Sequence, residues 1–307
     1  MKSNLNKPLF FIGIAASLFP FVSPAIALFM GLLLAFTAGN PYSKQSSNTS
    51  KYLLQLAVVG LGFGMNLHES LQSGKEGMLF TIVSVIGVIA FGYWLGRRML
   101  LDPKTSYLIS SGTAICGGSA IAAVAPILRA SPDQMSISLG TVFILNAIAL
   151  FIFPPIGRLL ELTQEQFGLW AAIAIHDTSS VVGAGAAYGH KALEVATMVK
   201  LTRALWIIPL SIATTFFFKQ KDSKIKIPWF IFFFVLAMVV NTVFTLPKEL
   251  TSFIVMLSKK GMTVTLFLIG SGLSLKTIKT VGVKPLMLGV SLWVFIGVIS
   301  LLTILFI

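Results

Sequence analysis

Gly112-Thr-Ala-Ile-Cys116-Gly117-Gly118-Ser119-Ala120 sits in the middle of an apolar run from 106 to 128. A run of that length meets the roughly 20 residues that a helix needs to cross a bilayer. Adjacent glycines inside a helix cost about 1 kcal/mol each relative to alanine. With Thr113 and Ser119 beside them and Pro126 beyond, they predict a break. A helix broken in mid-membrane frees N–H and C=O groups, and these must face protein or a watery cavity because lipid cannot satisfy them. The new half-helix N-terminus carries partial positive charge, which suits an anion. Small residues also let helices pack closely, and for this segment alone that reading stays open.

The rest of the chain is built on the same scale. Of 307 residues, 56% are hydrophobic and only 11% charged, against about 25% charged in a soluble domain. Mean hydropathy is +0.90. This excludes a soluble globule, a disordered chain and a coiled coil. One cysteine, Cys116, excludes an intrachain disulfide, and the three scattered histidines give no metal motif, so neither a cofactor nor a metal is expected. The sequence predicts an all-α polytopic membrane protein with eleven spans, at 9–20, 21–38, 51–67, 78–98, 106–128, 135–156, 167–188, 195–217, 228–246, 251–275 and 283–306. Residues 9–38 read either as two spans or as one kinked helix with a short lead-in. Ala25-Ile-Ala27 resembles a signal-peptide cleavage site, but the apolar run continues to Ala38, as in an anchor that stays.

The net charge of +13 becomes a matter of topology, because basic loops stay on the cytoplasmic side. Placing Lys219, Lys221, Lys224 and Lys226 inside also places Lys2, Lys7, Lys44, Lys51, Arg97, Arg98, Lys104, Arg158, Lys276, Lys279 and Lys284 there by alternation, fifteen in all. Six remain outside: Lys75, Arg129, Lys191, Lys248, Lys259 and Lys260. The charge bias puts the N-terminus in the cytoplasm and the C-terminus outside.

An internal repeat is visible at an offset of 208 residues. It pairs Pro20 with Pro228, Met30 with Met238 and Ser50-Lys51 with Ser258-Lys259. Its best patch pairs Gly62-Phe-Gly64-Met-Asn66-Leu67 with Gly270-Ser-Gly272-Leu-Ser274-Leu275. The third and tenth spans so paired run in opposite directions, as inverted repeats of transporters do. A five-plus-five division, spans 2–6 against 7–11, would instead pair the fifth span with the tenth.

Polar residues inside spans mark the chemistry. The seventh span holds Ile175-His176-Asp177-Thr178-Ser179-Ser180, and an ionisable group at such depth needs a partner or a wet cavity. The eighth holds Lys200 and Arg203, three apart and so on one helix face. The expectation is that Asp177 pairs with one of these cations and the other leaves a positive site. Gly270, Ser271, Gly272 and Ser274 of the tenth span could form a second unwound segment. Asn66, Gln55, Asn146 and Asn241 read as interhelical hydrogen bonds rather than ligands.

Thr113-Ala-Ile-Cys-Gly-Gly-Ser-Ala-Ile-Ala-Ala123, Ile175-His-Asp-Thr-Ser-Ser-Val-Val182, Ala186-Ala-Tyr-Gly189 and Ala192–Arg203 together resemble the YeiH-like sulfate exporter family. The resemblance covers nearly the whole length. It implies a bacterial inner-membrane protein related to sodium/proton antiporters and bile-acid-type symporters. It also implies two inverted repeats of about five helices with broken, crossing helices, here 20–157 and 165–307. That division favours the five-plus-five pairing over the 208-residue offset.

The function expected is a secondary transporter of a small inorganic or carboxylate anion. Cys116, Gly117, Gly118, Ser119, His176, Lys200, Arg203, Gly270, Ser271, Gly272 and Ser274 would bind the solute. Asp177 and His176 would compensate charge, with Na+ or H+ as coupling ion. The partners expected are the bilayer and the solute, without nucleic acid; a homodimer stays open. No nucleotide-binding motif appears. The competing readings are an intramembrane enzyme using Cys116 with His176, and a sensor or assembly subunit. The first meets the difficulty that residues adjacent on a helix point about 100° apart.

Overall fold

The computed structural model describes residues 6–218, 229–244, 246–273 and 281–306; within these, the side chains of Lys44 and of residues 68–80 are left undescribed. All described elements are helices: α1 Asn6–Ser17, α2 Pro24–Thr37, α3 Ser43–Gly62, α4 Leu67–Arg98, α5 Pro103–Ala114, α6 Gly118–Ile127, α7 Pro132–Leu159, α8 Gln164–Ala174, α9 Thr178–Tyr188, α10 His190–Ala204, α11 Ile207–Phe217, α12 Trp229–Val243, α13 Lys248–Gly272 and α14 Val283–Phe306. Four described stretches are long and apolar enough to cross a membrane: α7, α10 with α11, α13 and α14. The chain is a multi-pass membrane protein.

The fifth and seventh apolar segments do not cross. At 12 and 10 residues, α5 and α6 are about 18 and 15 Å long, half of a roughly 30 Å hydrocarbon layer. They fold back on each other: Lys104 Nζ, at the start of α5, donates to Arg129 O just beyond α6 at 3.1 Å. The eleven-residue helices α8 and α9 do the same. Tyr188 donates its hydroxyl to Leu162 O at 2.6 Å and stacks on Phe167 with ring centroids 3.8 Å apart, so the end of α9 lies beside the start of α8. Each segment is therefore a helical hairpin that returns to the face it entered from.

The two faces are fixed by α7, about 42 Å long at 28 residues. Its start touches the base of the first hairpin, where Gln134 donates to Asp102 at 3.0 Å. Its end touches the base of the second, where Arg158 donates to Ala187 O at 2.8 Å. The hairpins thus enter from opposite faces. Arg129 consequently joins Lys104, Arg97 and Arg98 on the first face, and Arg158 moves to the second. This corrects the strict alternation expected from the sequence, while the basic tally changes by one gain and one loss.

Residues 9–38 also fold back. Asn6 donates to Ala38 O, so α1 and α2 are two short antiparallel helices rather than one kinked one. Their connecting turn reaches only to Lys260, midway along α13, whose Nζ donates to Phe19 O at 2.6 Å.

The helices sort into two bodies. In one, α13 packs along α2 and α3, with α1 against α13 and α12 against α3. An apolar cluster around Phe10, Val22, Ala27, Val264 and Phe267 lies among α1, α2 and α13, while Val58 of α3, Phe234 of α12 and Leu266 of α13 belong to the main core shared with the other body. The other holds α4, both hairpins, α7, α10, α11 and α14. There Ser106 of α5 donates to Gly92 O at 3.1 Å, and Gly92 and Gly96 leave room for Ser110 and Ser106, a small-residue contact of the kind that holds membrane helices together. Contacts between the bodies are sparse, mainly from α9 to α2 and α13.

Gly270-Ser271-Gly272 is not unwound. It forms the last turn of α13, and Gly270 lies against the α2 backbone at Leu28. Ser271 accepts from Asn40 at 2.9 Å and donates to Leu268 O at 2.8 Å. Gly270 and Ser271 are packing and hydrogen-bonding groups of the first body, and Gly272 lines a cavity that it shares with Leu139 and Phe143 of α7. Ser274 lies outside the described residues, as do Lys2, the 219–226 lysines, Lys276 and Lys279.

Candidate functional site at the junction of the hairpins

Each hairpin tip follows from local sequence. Asp102 caps α5 by accepting from Thr105 N at 2.8 Å, and Pro103 fits the first turn. The helix ends after Ala114. Gly117 then takes φ +65°, and its N–H closes back to Gly112 O at 2.8 Å. Only glycine adopts that backbone without a Cβ penalty, so the double glycine produces a reversal rather than a kink. In the second hairpin, Thr163 and Gln166 form a capping box that starts α8. The chain turns extended at Ile175, and Asp177 caps α9 by accepting from Ser179 N at 3.0 Å and from the Ser179 hydroxyl.

The tips touch. A Cβ on Gly117 would lie 3.4 Å from the His176 backbone. Four helix ends converge here: the C-terminal ends of α5 and α8, which carry partial negative charge, and the N-terminal ends of α6 and α9, which carry partial positive charge. Lys200 and Arg203 of α10, both 0% exposed, answer the negative ends. Lys200 Nζ donates to Ile115 O at 3.0 Å, Ile175 O at 2.7 Å and Ala172 O at 3.3 Å. One ammonium group thereby ties both tips together with all three of its donors. Arg203 donates to Ala114 O at 2.6 Å and to Ser84 Oγ of α4 at 3.0 Å.

Asp177 therefore does not neutralise either cation. It is half-buried and committed to the start of α9, and no described carboxylate lies within ion-pair distance of Lys200 or Arg203. The expected pairing of Asp177 with one of the two cations is corrected to a cap on one side and a clamp of two carbonyl ends on the other. Asn146 of α7, expected to be an interhelical hydrogen bond, accepts from both His176 N and Asp177 N at 3.1 Å and so satisfies two N–H groups freed by the break.

Of the residues expected to bind solute, the junction gathers Cys116, Gly117, Gly118, Ser119, His176, Lys200 and Arg203, with Asp177. Cys116 is buried at 2%. Gly118 is half-buried and Ser119 exposed at the uncapped start of α6. Several buried polar atoms here have no hydrogen-bond partner: Thr113 Oγ1, Asn146 Nδ2, Arg203 Nε and both ring nitrogens of His176. Neither Cys116 nor Asp177 holds the His176 ring, so a Cys–His–Asp arrangement is not assembled. Sequence reasoning missed Ser84 and undervalued Asn146; their only signal was a polar side chain at mid-span depth.

Two cavities lie on the seam between the bodies. One, about 560 Å³, opens toward the second face between Pro20–Pro24, Val182 and Gly183 of α9, and Lys259 and Lys260 of α13. The other, about 550 Å³, opens toward the first face between Ser43, Ser47 and Ser50 of α3, Leu268, Ile269, Gly272 and Leu273, and Leu139 and Phe143 of α7. Phe143 and Leu139 also pack against Gly118 at the start of α6.

The chain matches the family described as conserved hypothetical protein 698 over residues 11–289. It belongs to that family. Relatives include UPF0324 membrane proteins of Bacteroides thetaiotaomicron, 60% identical over 93% of this chain and 87% of the relative, and of Porphyromonas gingivalis, 55% identical over 94% and 89%. A third, from Photobacterium profundum, is 49% identical over 96% and 91%. No solved structure matches the chain. Membership of the conserved hypothetical protein 698 family agrees with a multi-pass membrane protein.

Proposed function

We propose that this member of the conserved hypothetical protein 698 family is a secondary transporter of a small anion, working by alternating access at the hairpin junction. The observation that carries the reading is the meeting of two opposed helical hairpins over two buried cations that no described carboxylate pairs. Helix ends carry roughly half a charge each, and the two negative and two positive ends cancel. Lys200, Arg203 and Asp177 then leave about one net positive charge in a site largely shielded from water. An anion balances it. The uncapped start of α6, with the exposed Ser119, offers backbone N–H groups to that anion. The resemblance to sulfate exporters points the same way, toward an inorganic or carboxylate anion.

Two features support movement. The seam between the bodies is thinly packed and holds a cavity toward each face. We also read the fold as an inverted repeat in permuted order: α2, α3, α4, the first hairpin and α7 correspond to α12, α13, α14, the second hairpin and α10–α11. Under the 208-residue offset, Gly62 matches Gly270. Gly62 packs on α12 at Phe234 and Ala237, and Gly270 packs on α2 at Leu28 and Leu32, which is the same contact seen twice. The fifth segment then answers the seventh rather than the tenth. Inverted repeats let one state be rebuilt from the other by exchanging conformations. The basic excess assigns the first face to the cytoplasm.

The test is exchange of labelled sulfate, nitrate, chloride or formate by purified protein in liposomes, with the seam locked or free. A Cβ on Gly183 would lie 3.3 Å from that of Pro24, close to the separation in a disulfide. A Pro24→Cys/Gly183→Cys pair in a Cys116→Ser background should stop exchange when oxidised and restore it when reduced. Exchange of no anion by folded protein, or undiminished exchange with the disulfide formed, would reject the reading.

A further inference from the structure

We infer that the anion travels with one proton, and that the proton is carried on the imidazole of His176. The inference rests on the anion-transport reading and adds the coupling ion to it.

Among the described residues the junction contains five ionisable groups, and four of them are not free to take up a proton. From α10, Lys200 spends its three donors on Ile115 O, Ala172 O and Ile175 O, and losing its proton would break the tie between the hairpins. Arg203, also from α10, keeps its proton under all ordinary conditions. On the second hairpin, Asp177 holds the start of α9 through Ser179. On the first hairpin, Cys116 is a neutral thiol, which already carries its proton and has no free site for an added one. Among the described residues, the elements packed around them add neutral groups: Asn146 from α7 and Ser84 from α4.

His176 differs from all four. Its backbone N–H is fixed by Asn146 at 3.1 Å, yet neither ring nitrogen has a hydrogen-bond partner although the residue is only 1% exposed. A proton can join or leave this ring without breaking any contact that holds the tips together. Buried polar atoms normally find partners, so two idle nitrogens on one ring, among the idle Thr113 Oγ1, Asn146 Nδ2 and Arg203 Nε, mark a place completed by something that enters. An oxyanion admitted to the junction would find these unspent donors to accept from, and it would also give an imidazolium N–H an acceptor. Anion and proton then favour each other's binding, and the coupling is reciprocal.

The measurement is calorimetric binding of sulfate, nitrate, chloride and formate to the purified chain in detergent. The charge of these probes stays constant across the neutral pH range. Running each titration in two buffers of different ionisation enthalpy counts the protons taken up. The expected result is uptake approaching one proton per anion bound, with affinity rising as pH falls by up to about tenfold per pH unit, the limit for one linked proton. In His176→Gln, and independently in His176→Asn, the bound anion should take up no proton and the pH dependence should vanish. Binding without proton uptake in the unaltered protein overturns this inference and leaves the anion reading standing, and it needs no variant to fold. Proton uptake that persists in folded His176→Gln moves the proton to another group and also overturns it. Binding of none of the four probes rejects the anion reading itself.

Discussion

The two hairpins are built to the same plan and finished differently. Each has two helices of 10–12 residues, each stops near mid-depth, and each has its first helix's carbonyl end clamped by Lys200. The second hairpin closes its own positive end, because Asp177 caps α9. The first leaves that end open: α6 begins at Gly118 with no side-chain cap, next to an exposed Ser119. On the proposed anion-transport reading, a carboxylate on one tip and its absence on the other would direct an incoming anion to the first hairpin. The lesson is that a buried acid near two cations need not be their partner; its place in the backbone decides.

The largest effect should come from cutting the shared clamp. Lys200→Met removes three charge-assisted hydrogen bonds and leaves three buried carbonyls unpaired, at about 1.5–3 kcal/mol for each bond to a charged group. The variant should lose several kcal/mol and fail to give a cooperative melt in detergent. A melt within about 1 kcal/mol of the unaltered protein would mean that the tips are held by something else. Next comes the reversal of the first tip. Gly117→Ala places a Cβ at φ +65° and 3.2 Å from Val142, for a cost of about 1–2 kcal/mol. A helix-end glycine change on the other body, Gly272→Ala, meets open space and should cost well under 1 kcal/mol. Equal costs at the two positions would remove the distinction between a tip glycine and a helix-end glycine.

Much of the fold was legible because hydropathy reports burial in lipid, and the apolar segments sit where the sequence puts them. Direction was not legible. A re-entrant hairpin and a crossing helix both need about 20 apolar residues, and Gly117-Gly118 is compatible with a kink or a reversal. What separates them is contact between ends, such as Lys104 with Arg129 or Tyr188 with Leu162; no periodicity encodes that. The same holds for the site. Lys200, Arg203, His176 and Asp177 stood out as polar residues in apolar surroundings. Their partners are backbone carbonyls and N–H groups, which every residue carries and which a sequence therefore cannot single out. Gly270–Ser274 looked like the first tip because it too is rich in Gly and Ser. Its described part serves a close approach between α2 and α13 instead.

The smallest effect sharpens the comparison most. Asparagine caps helices about as well as aspartate, so Asp177→Asn should leave the thermal midpoint nearly unchanged. It removes the single carboxylate at the junction, and anion affinity should rise severalfold at low ionic strength. Asp177→Ala loses the cap as well, at about 1 kcal/mol. If Asp177→Asn weakens anion binding, Asp177 contributes to the site rather than opposing it, and the contrast between the tips fails.

The central claim is that two apolar segments enter from opposite faces and return. Single cysteines at Lys104, Arg129, Arg158 and Lys191, each in a Cys116→Ser background, can be labelled with a thiol reagent that does not cross the membrane of intact cells. Lys104→Cys and Arg129→Cys should share one side, and Arg158→Cys and Lys191→Cys the other. Labelling of Lys104→Cys and Arg129→Cys from opposite sides would make the fifth segment a crossing helix and contradict the account.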